Sequence, residues 1–351
     1  MSNGLKEMLL EFSKSYGPPG REEGTRRSIA KWVKPYCDKL ETDRSGNLIA
    51  VKYANGERKG SLMITTHMDE VCMVVSKVLE EGYLRVEGIG LDPKLLPSQK
   101  VNIHTRDNRV LRGVIGMLAP HLQTKETKNK VSDFDALFVD CSMHDIKNFH
   151  VGDFITYEVD PLIVSSTVFT KTTDNRASCA ASVEALRMLQ HFRHDYDVYA
   201  VFSSREEVGA FGARTAASLL QPDAAIVVDM TFADEKVEGY NDLKIGDGPA
   251  IGKGPVPTRK VTRYIERIAE QYNIKTQVEP VPGRTGTDAD QVQLEGIPVG
   301  LLSIPQSYMH NPYEKIELND IKETGRLIAH LTCELKESEF CLGSKSREGE
   351  R

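Results

Sequence analysis

The sequence predicts an α/β protein: a mixed sheet covered by helices on both faces, interrupted by an inserted all-β unit. Three observations predict it. Helical and strand-like stretches alternate before residue 70 and again after 165, as in a sheet layered between helices. Across 71–164, short β-branched runs separated by Gly- and Asp-bearing turns take over, and convincing helices are few. Isolated acids and histidines fall at the ends of several strand-like runs, where open α/β sheets place their ligand crevice. A chain of 351 residues suits about two domains. Residues 1–70 with 165–338 form the first, 71–164 the insert, and the Ser- and charge-rich tail 339–351 is expected to be disordered.

In chain order, 4–16 and 22–40 read as helices, divided by the break Gly17-Pro18-Pro19-Gly20. In the second, Ile29, Trp32, Val33, Tyr36, Cys37 and Leu40 recur at helical spacing and should face the core. Strands are expected at 47–53 and 61–66, the latter running straight into His67-Met68-Asp69-Glu70. The insert carries strand-like runs at 72–78, 83–86, 110–117, 136–139 and 153–159, with a solvated polar loop at 124–133. Helix 176–194 follows, then strand 197–202, the acid pair Glu206-Glu207, and a small, apolar helix over 209–220. Strand 224–229, helix 258–272, strand 298–303 and a closing helix over 318–335 complete the alternation.

Composition excludes several classes of function. The chain is 40% hydrophobic and 27% charged, ordinary for a globular protein. A formal net charge of −6 argues against nucleic acid as a partner. No apolar run approaches membrane-spanning length, and the first residues show no secretory signal. Ser2 excludes N-myristoylation. Six scattered cysteines suit reduced thiols and a cytoplasmic location.

The chemistry gathers at His67-Met68-Asp69, Asp174-Asn175-Arg176, Glu206-Glu207, Asp229-Met230-Thr231, Gly286-Thr287-Asp288 and Met309-His310. Asp229 is the clearest of these, because Ala224-Ala225-Ile226-Val227-Val228 needs no acid to complete a strand, and burying one is costly unless it is paired or ligates a metal. Two histidines with three carboxylates is the ligand set of a two-metal hydrolase; imidazole suits zinc or cobalt, and oxygen ligands also accept manganese. A further acid must stay off the metals to move the proton. Asp69 has a mechanical reading, holding the ring N–H of His67 and fixing its tautomer. The plainer alternatives are that the acid pair offsets a helix dipole, that Asp174 caps the following helix, and that His310 lies on the surface. Thr287 and Asp288 are read as caps of the helix carrying Gln291 and Val292. His104, His121, His144, His150, His191, His194 and His330 receive no role.

In this order, these motifs resemble the co-catalytic metallo-aminopeptidases that assemble as tetrahedral dodecamers, a family of glutamyl and deblocking aminopeptidases in which some members are labelled endoglucanases. The resemblance covers about residues 4–336. It implies a zinc-exopeptidase-like catalytic domain whose insert is a dimerisation domain. It also implies two divalent ions per chain, zinc first, with cobalt or manganese as alternatives. His67 and Asp229 would hold one ion, Glu207 and His310 the other, with Asp174 bridging; Glu206 matches the general base and Asp69 the residue orienting the first histidine. The chain departs from the family at Arg205, where Gln is common, and at Cys72, where Gly is usual.

The expected function is therefore a cytoplasmic aminopeptidase acting on short peptides with a free N-terminus, assembled as a dodecamer built from dimers. Arg205 and Arg284 lie in segments expected to border the site, where a guanidinium would favour an acidic N-terminal residue, although a surface salt bridge or a solvent-facing loop is the favoured reading of both. The alternatives are hydrolysis of a glycosidic or non-peptide amide bond on the same centre, and a metal-holding scaffold. Glu206 argues against the scaffold, which needs no proton shuttle.

Overall fold

The computed structural model describes residues 3–119, 121, 122, 124, 133–234 and 242–340. Most of the expected polar loop at 124–133 and of the expected tail at 339–351 lies outside these residues.

Alternation along the central strands builds two cores. β3 (Gly60–His67) sends Leu62 and Ile64 into one and Met63 into the other; β13 (Ala224–Phe232) divides Ile226 and Val228 from Ala225 and Val227 in the same way. Side chains alternate across a strand, so a one-residue slip would exchange every one of these contacts. Each buried aliphatic is worth about 1.5–3 kcal/mol, which fixes the register.

The sheet runs β1 (Lys39–Thr42), β2 (Leu48–Lys52), β12 (Tyr196–Ser203), β3, β13, β16 (Val299–Gln306), β14 (Ala250–Lys253), β15 (Gln277–Pro280). β12, β3, β13 and β16 are mutually parallel, while β2 and β14 join antiparallel. Helices α1 (Asn3–Lys14), α2 (Glu23–Val33), α3 (Thr173–Leu189), α5 (Arg259–Gln271) and α7 (Leu318–Glu334) pack on one face. On the other lie α4 (Phe211–Leu220) and α6 (Ala289–Val292). The α3–α7 crossing is close because Gly325 presents no side chain: a Cβ there would stand 2.7 Å from the Ala181 carbonyl oxygen. The α/β class with helices on both faces is borne out.

β4 (Cys72–Val78), β5 (Tyr83–Ile89), β8 (Leu137–Asp140), β7 (Val110–Met117), β6 (Lys100–His104) and β9 (Phe154–Tyr157) close a barrel in that order, around its own core of Met73, Val75, Leu84, Val86, Val101 and Ile103. Leu162–Val164 (β10), read from the sequence as the end of the insert, pairs with β11 (Thr167–Thr170). β11 in turn pairs with β17 (Glu314–Glu317) in a separate three-stranded sheet.

Two further expectations are corrected. The helix expected over 22–40 stops at Val33, because Pro35 has no N–H to continue it. A single 3₁₀ turn, Lys34–Tyr36, follows, and Lys39–Thr42 becomes an edge strand. At the other end, Glu337–Glu339 forms a 3₁₀ turn and Phe340 is buried edge-on to Tyr196, so the ordered chain reaches into the expected tail. Among the described residues, no helix is long and apolar enough to cross a membrane.

Candidate active site

The parallel strands deliver their carboxyl ends to one place. β3 ends on His67, whose register partner is Ser203, the last residue of β12. The chain leaves β12 through Arg205, in the left-handed region at φ 58°, and presents Glu206 and Glu207. Asp229 projects from β13, Asp174 from the irregular first turn of α3, and His310 from the loop after β16.

Five of these side chains fall into two groups sharing one member. His67 Nε2 is 3.1 Å from Asp174 Oδ1 and 3.7 Å from Asp229 Oδ1. His310 Nε2 is 3.4 Å from Asp174 Oδ2 and 3.7 Å from Glu207 Oε1. Asp174 therefore turns one oxygen to each imidazole. Ligand atoms at ordinary zinc distances around a tetrahedral ion stand roughly 3.3 Å apart, and these separations are of that size. His67, Asp174 and Glu207 also bring ligand atoms within 4.8 Å of one another. The donor set fits divalent cations. Glu206 stands beside the first group, its Oε2 3.8 Å from His67 Nε2.

Both imidazoles are aimed from behind. Asp69 Oδ1 lies 3.4 Å from His67 Nδ1, and the two Asp69 oxygens also accept the backbone N–H groups of Glu206 and Glu207 at 3.0 and 3.1 Å. One buried carboxylate thus steadies the histidine and the turn carrying both glutamates. His310 Nδ1 donates to the Gly90 carbonyl at 2.8 Å, which leaves Nε2 facing the acids. Gly90, just past β5 of the barrel, has φ 71°, and a Cβ there would collide with Val71 at 2.5 Å and approach Glu207 Oε2 at 3.4 Å.

The electrostatics are those of a site with too much negative charge. Burial, with Asp288, Glu207 and Asp69 nearby, pushes Glu206 up to about 9 against the counteracting pull of His67. Burial and Asp174 push Glu207 up to about 8, and burial raises Asp229 well above the carboxylate range. Burial also acts to raise Asp174, but hydrogen bonds from His310 and His67 hold it below the usual value. Both histidines are raised. Burial would depress His67, but Asp174 and Asp69 outweigh it and raise the ring well above its ordinary value. Buried acids that resist ionising until a cation arrives are what a metal site requires.

A family model described as M42 glutamyl aminopeptidase matches residues 46–327. The chain belongs to this family. Among relatives, it is 33% identical to a lysyl aminopeptidase of Pyrococcus furiosus over 95% of this chain and 98% of that one. Among solved structures, it is similar to the Pyrococcus horikoshii TET1 peptidase, described as able to assemble into a tetrahedron or a large octahedral shell. The identity there is 29%, the TM-score 0.82, and the coverage 94% of this chain and 100% of that one. A Thermotoga maritima protein described as an endoglucanase is 29% identical with a TM-score of 0.75, covering 94% and 97%. The resemblance read from the sequence is borne out, and the chain is a hydrolase of an aminopeptidase family. M42 peptidases are metallopeptidases, and the His67–Asp174–Glu207 group is where this M42 chain could hold a metal ion.

Against this M42 framework, other expected residues fall elsewhere. Arg205 sends Nη1 to the Ser45 carbonyl at 2.6 Å and lies along Gly20. Arg284 is 83% exposed and paired with Asp290. Asp288, read as a helix cap, makes no cap bond: its Oδ2 accepts the hydroxyls of Ser203 at 2.6 Å and Thr65 at 2.8 Å, beneath the site. Thr287 does accept the Ala289 N–H, as a local turn residue should.

Sequence reasoning missed Glu314. Buried on β17, it accepts the backbone N–H of His310 at 2.9 Å on one oxygen and that of Asp174 at 3.1 Å on the other, joining residues from both sides of the site. Glu314-Lys315-Ile316-Glu317 reads as a solvent-facing strand, and only the pairing of Glu314 with Thr170 reveals that its side chain points inward.

Proposed function

We propose that the chain is a dinuclear metal-dependent aminopeptidase removing residues from the free N-terminus of short peptides, with Glu206 as general base. The observation that carries this reading is the division of two imidazoles and three carboxylates into two groups sharing Asp174. His67, Asp229 and Asp174 would hold one ion; His310, Glu207 and Asp174 the other. Bound there, zinc, cobalt or manganese would polarise the scissile carbonyl and lower the pKa of the attacking water. Glu206 would take the proton from that water and return it to the leaving amine. Asp69 would hold Glu206 in place through its backbone N–H.

Sugar cleavage uses these acids poorly. A glycosidase needs two carboxylates free to flank the bond, and here Asp174, Glu207 and Asp229 each face an imidazole. A panel of peptides with free and N-acetylated termini, set beside a cellulose-type substrate and run with and without chelator, tests the reading. Cleavage confined to free-amine peptides and abolished by chelator is expected. Equal rates on both termini would indicate an endopeptidase, and chelator-resistant cellulose hydrolysis would defeat the proposal outright.

We further infer that the barrel pairs chains and that six such pairs close a shell, so that only small or unfolded peptides reach the sites. The family membership and the described assembly of the TET1 relative support it. Light scattering should report a mass near twelve chains; a fully active monomer would exclude the assembly.

A further inference from the structure

Three consecutive amides of the turn carrying the base are each held by a buried carboxylate. Asp69 takes those of Glu206 and Glu207. The amide before them, Arg205, donates at 3.2 Å to Oε1 of Glu22, a residue from a distant part of the chain. The same oxygen accepts the Gly20 N–H at 2.6 Å. Glu22 is 1% exposed.

Its orientation is informative. Glu22 occupies the N-cap position of α2, where an acidic side chain ordinarily accepts one of the first free N–H groups of its own helix. It makes no such bond. Its carboxylate turns instead to the break before α2 and the turn after β12, with Arg26 Nη2 3.9 Å from the other oxygen. Arg205 needs a tether because its φ of 58° lies in the region that L-residues rarely adopt. On the far side, its guanidinium is fixed to the Ser45 carbonyl and lies along Gly20.

We propose that Glu22 is a positioning residue for Glu206: by fixing the Arg205 amide, it holds the turn in the geometry that aims the base. This rests on the reading of Glu206 as general base. Glu22 touches neither the predicted ligands nor the reacting atoms, so its effect should appear in kcat while metal content and KM stay near their normal values.

The test uses the full-length, metal-replete enzyme. Glu22→Ala is expected to lower kcat by about 10- to 100-fold, the scale of a misaimed catalytic group. Glu22→Gln, which retains an oxygen in place of Oε1, should recover most of it. Glu22→Asp keeps the charge but loses the reach, so it should resemble Ala, and it replaces Ala if that variant does not fold. In a Glu206→Gln background, Glu22→Ala should cost almost nothing more, since no base is left to aim. Normal kcat in both Glu22→Ala and Glu22→Asp, with Glu206→Gln crippled, overturns the positioning role and leaves the base reading intact. Normal kcat in Glu206→Gln overturns the base reading, and the positioning role with it. A loss that persists undiminished in the double variant, or that tracks lost metal, marks Glu22 as a structural residue and overturns the proposal.

Discussion

Glu206→Gln is expected to lower kcat by about 10²–10⁴, the typical worth of general acid–base catalysis, with KM and metal content little changed. The substitution keeps the size of the side chain and removes only its capacity to take a proton. The five proposed ligands remain, and the Glu206 N–H still finds Asp69. Burial and neighbouring acids favour the protonated form of Glu206, whereas a base must be ionised. Divalent cations beside it would draw its pKa down by opposing that effect. The wild-type rate should therefore fall on the acid side as Glu206 takes up its proton, and the Gln variant should lose that limb. Steady-state kinetics across pH, with elemental analysis of each variant, make the check. A Glu206→Gln protein that loses metal would exchange the roles of Glu206 and Glu207. Unchanged activity would return both to an ordinary helix start.

The sequence displayed what depends on chain-local pattern. Val227-Val228-Asp229 stands out because an acid interrupts a run of buried apolar residues, and the structure places Asp229 on a strand 3.7 Å from an imidazole. His67 and Glu206-Glu207 stood out for the same reason, as polar residues where strands run out. What the sequence could not display depends on partners distant in the chain. Glu314 resembles a surface residue until β17 is paired with β11. Gly90 acts through a carbonyl oxygen that every residue possesses, and only its position against His310 gives it a role. Asp288 precedes a short helix and has the form of a cap, yet its carboxylate is drawn to Ser203 and Thr65 on the strands. The short strands were missed on similar grounds. β14 and β15 have four residues each and are set by pairing to each other and, for β14, to β16.

Asp174→Asn is expected to have a larger effect than loss of any other single ligand, because Asp174 alone belongs to both groups. Its two oxygens face His67 at 3.1 Å and His310 at 3.4 Å, and the imidazoles hold the carboxyl ionised against the pull of burial. An asparagine has one oxygen and one NH₂. It can offer a neutral, weaker ligand to one group at most, and it sets donor hydrogens toward the other. Wild-type protein should saturate at two divalent ions per chain, and Asp174→Asn should retain fewer than one. The two ions would supply several kcal/mol of transition-state stabilisation, so kcat/KM should fall by about 10³-fold or more. Glu207→Gln provides the contrast. It weakens only the group around His310, so it should keep the ion on His67 and Asp229 and regain part of its activity in excess metal. Elemental analysis and kinetics along a metal titration separate the two patterns. A wild-type chain that holds at most one ion after saturation would end the dinuclear reading. An Asp174→Asn protein that still binds two ions and turns over normally would show that the imidazole groups are independent, with no shared carboxylate between them.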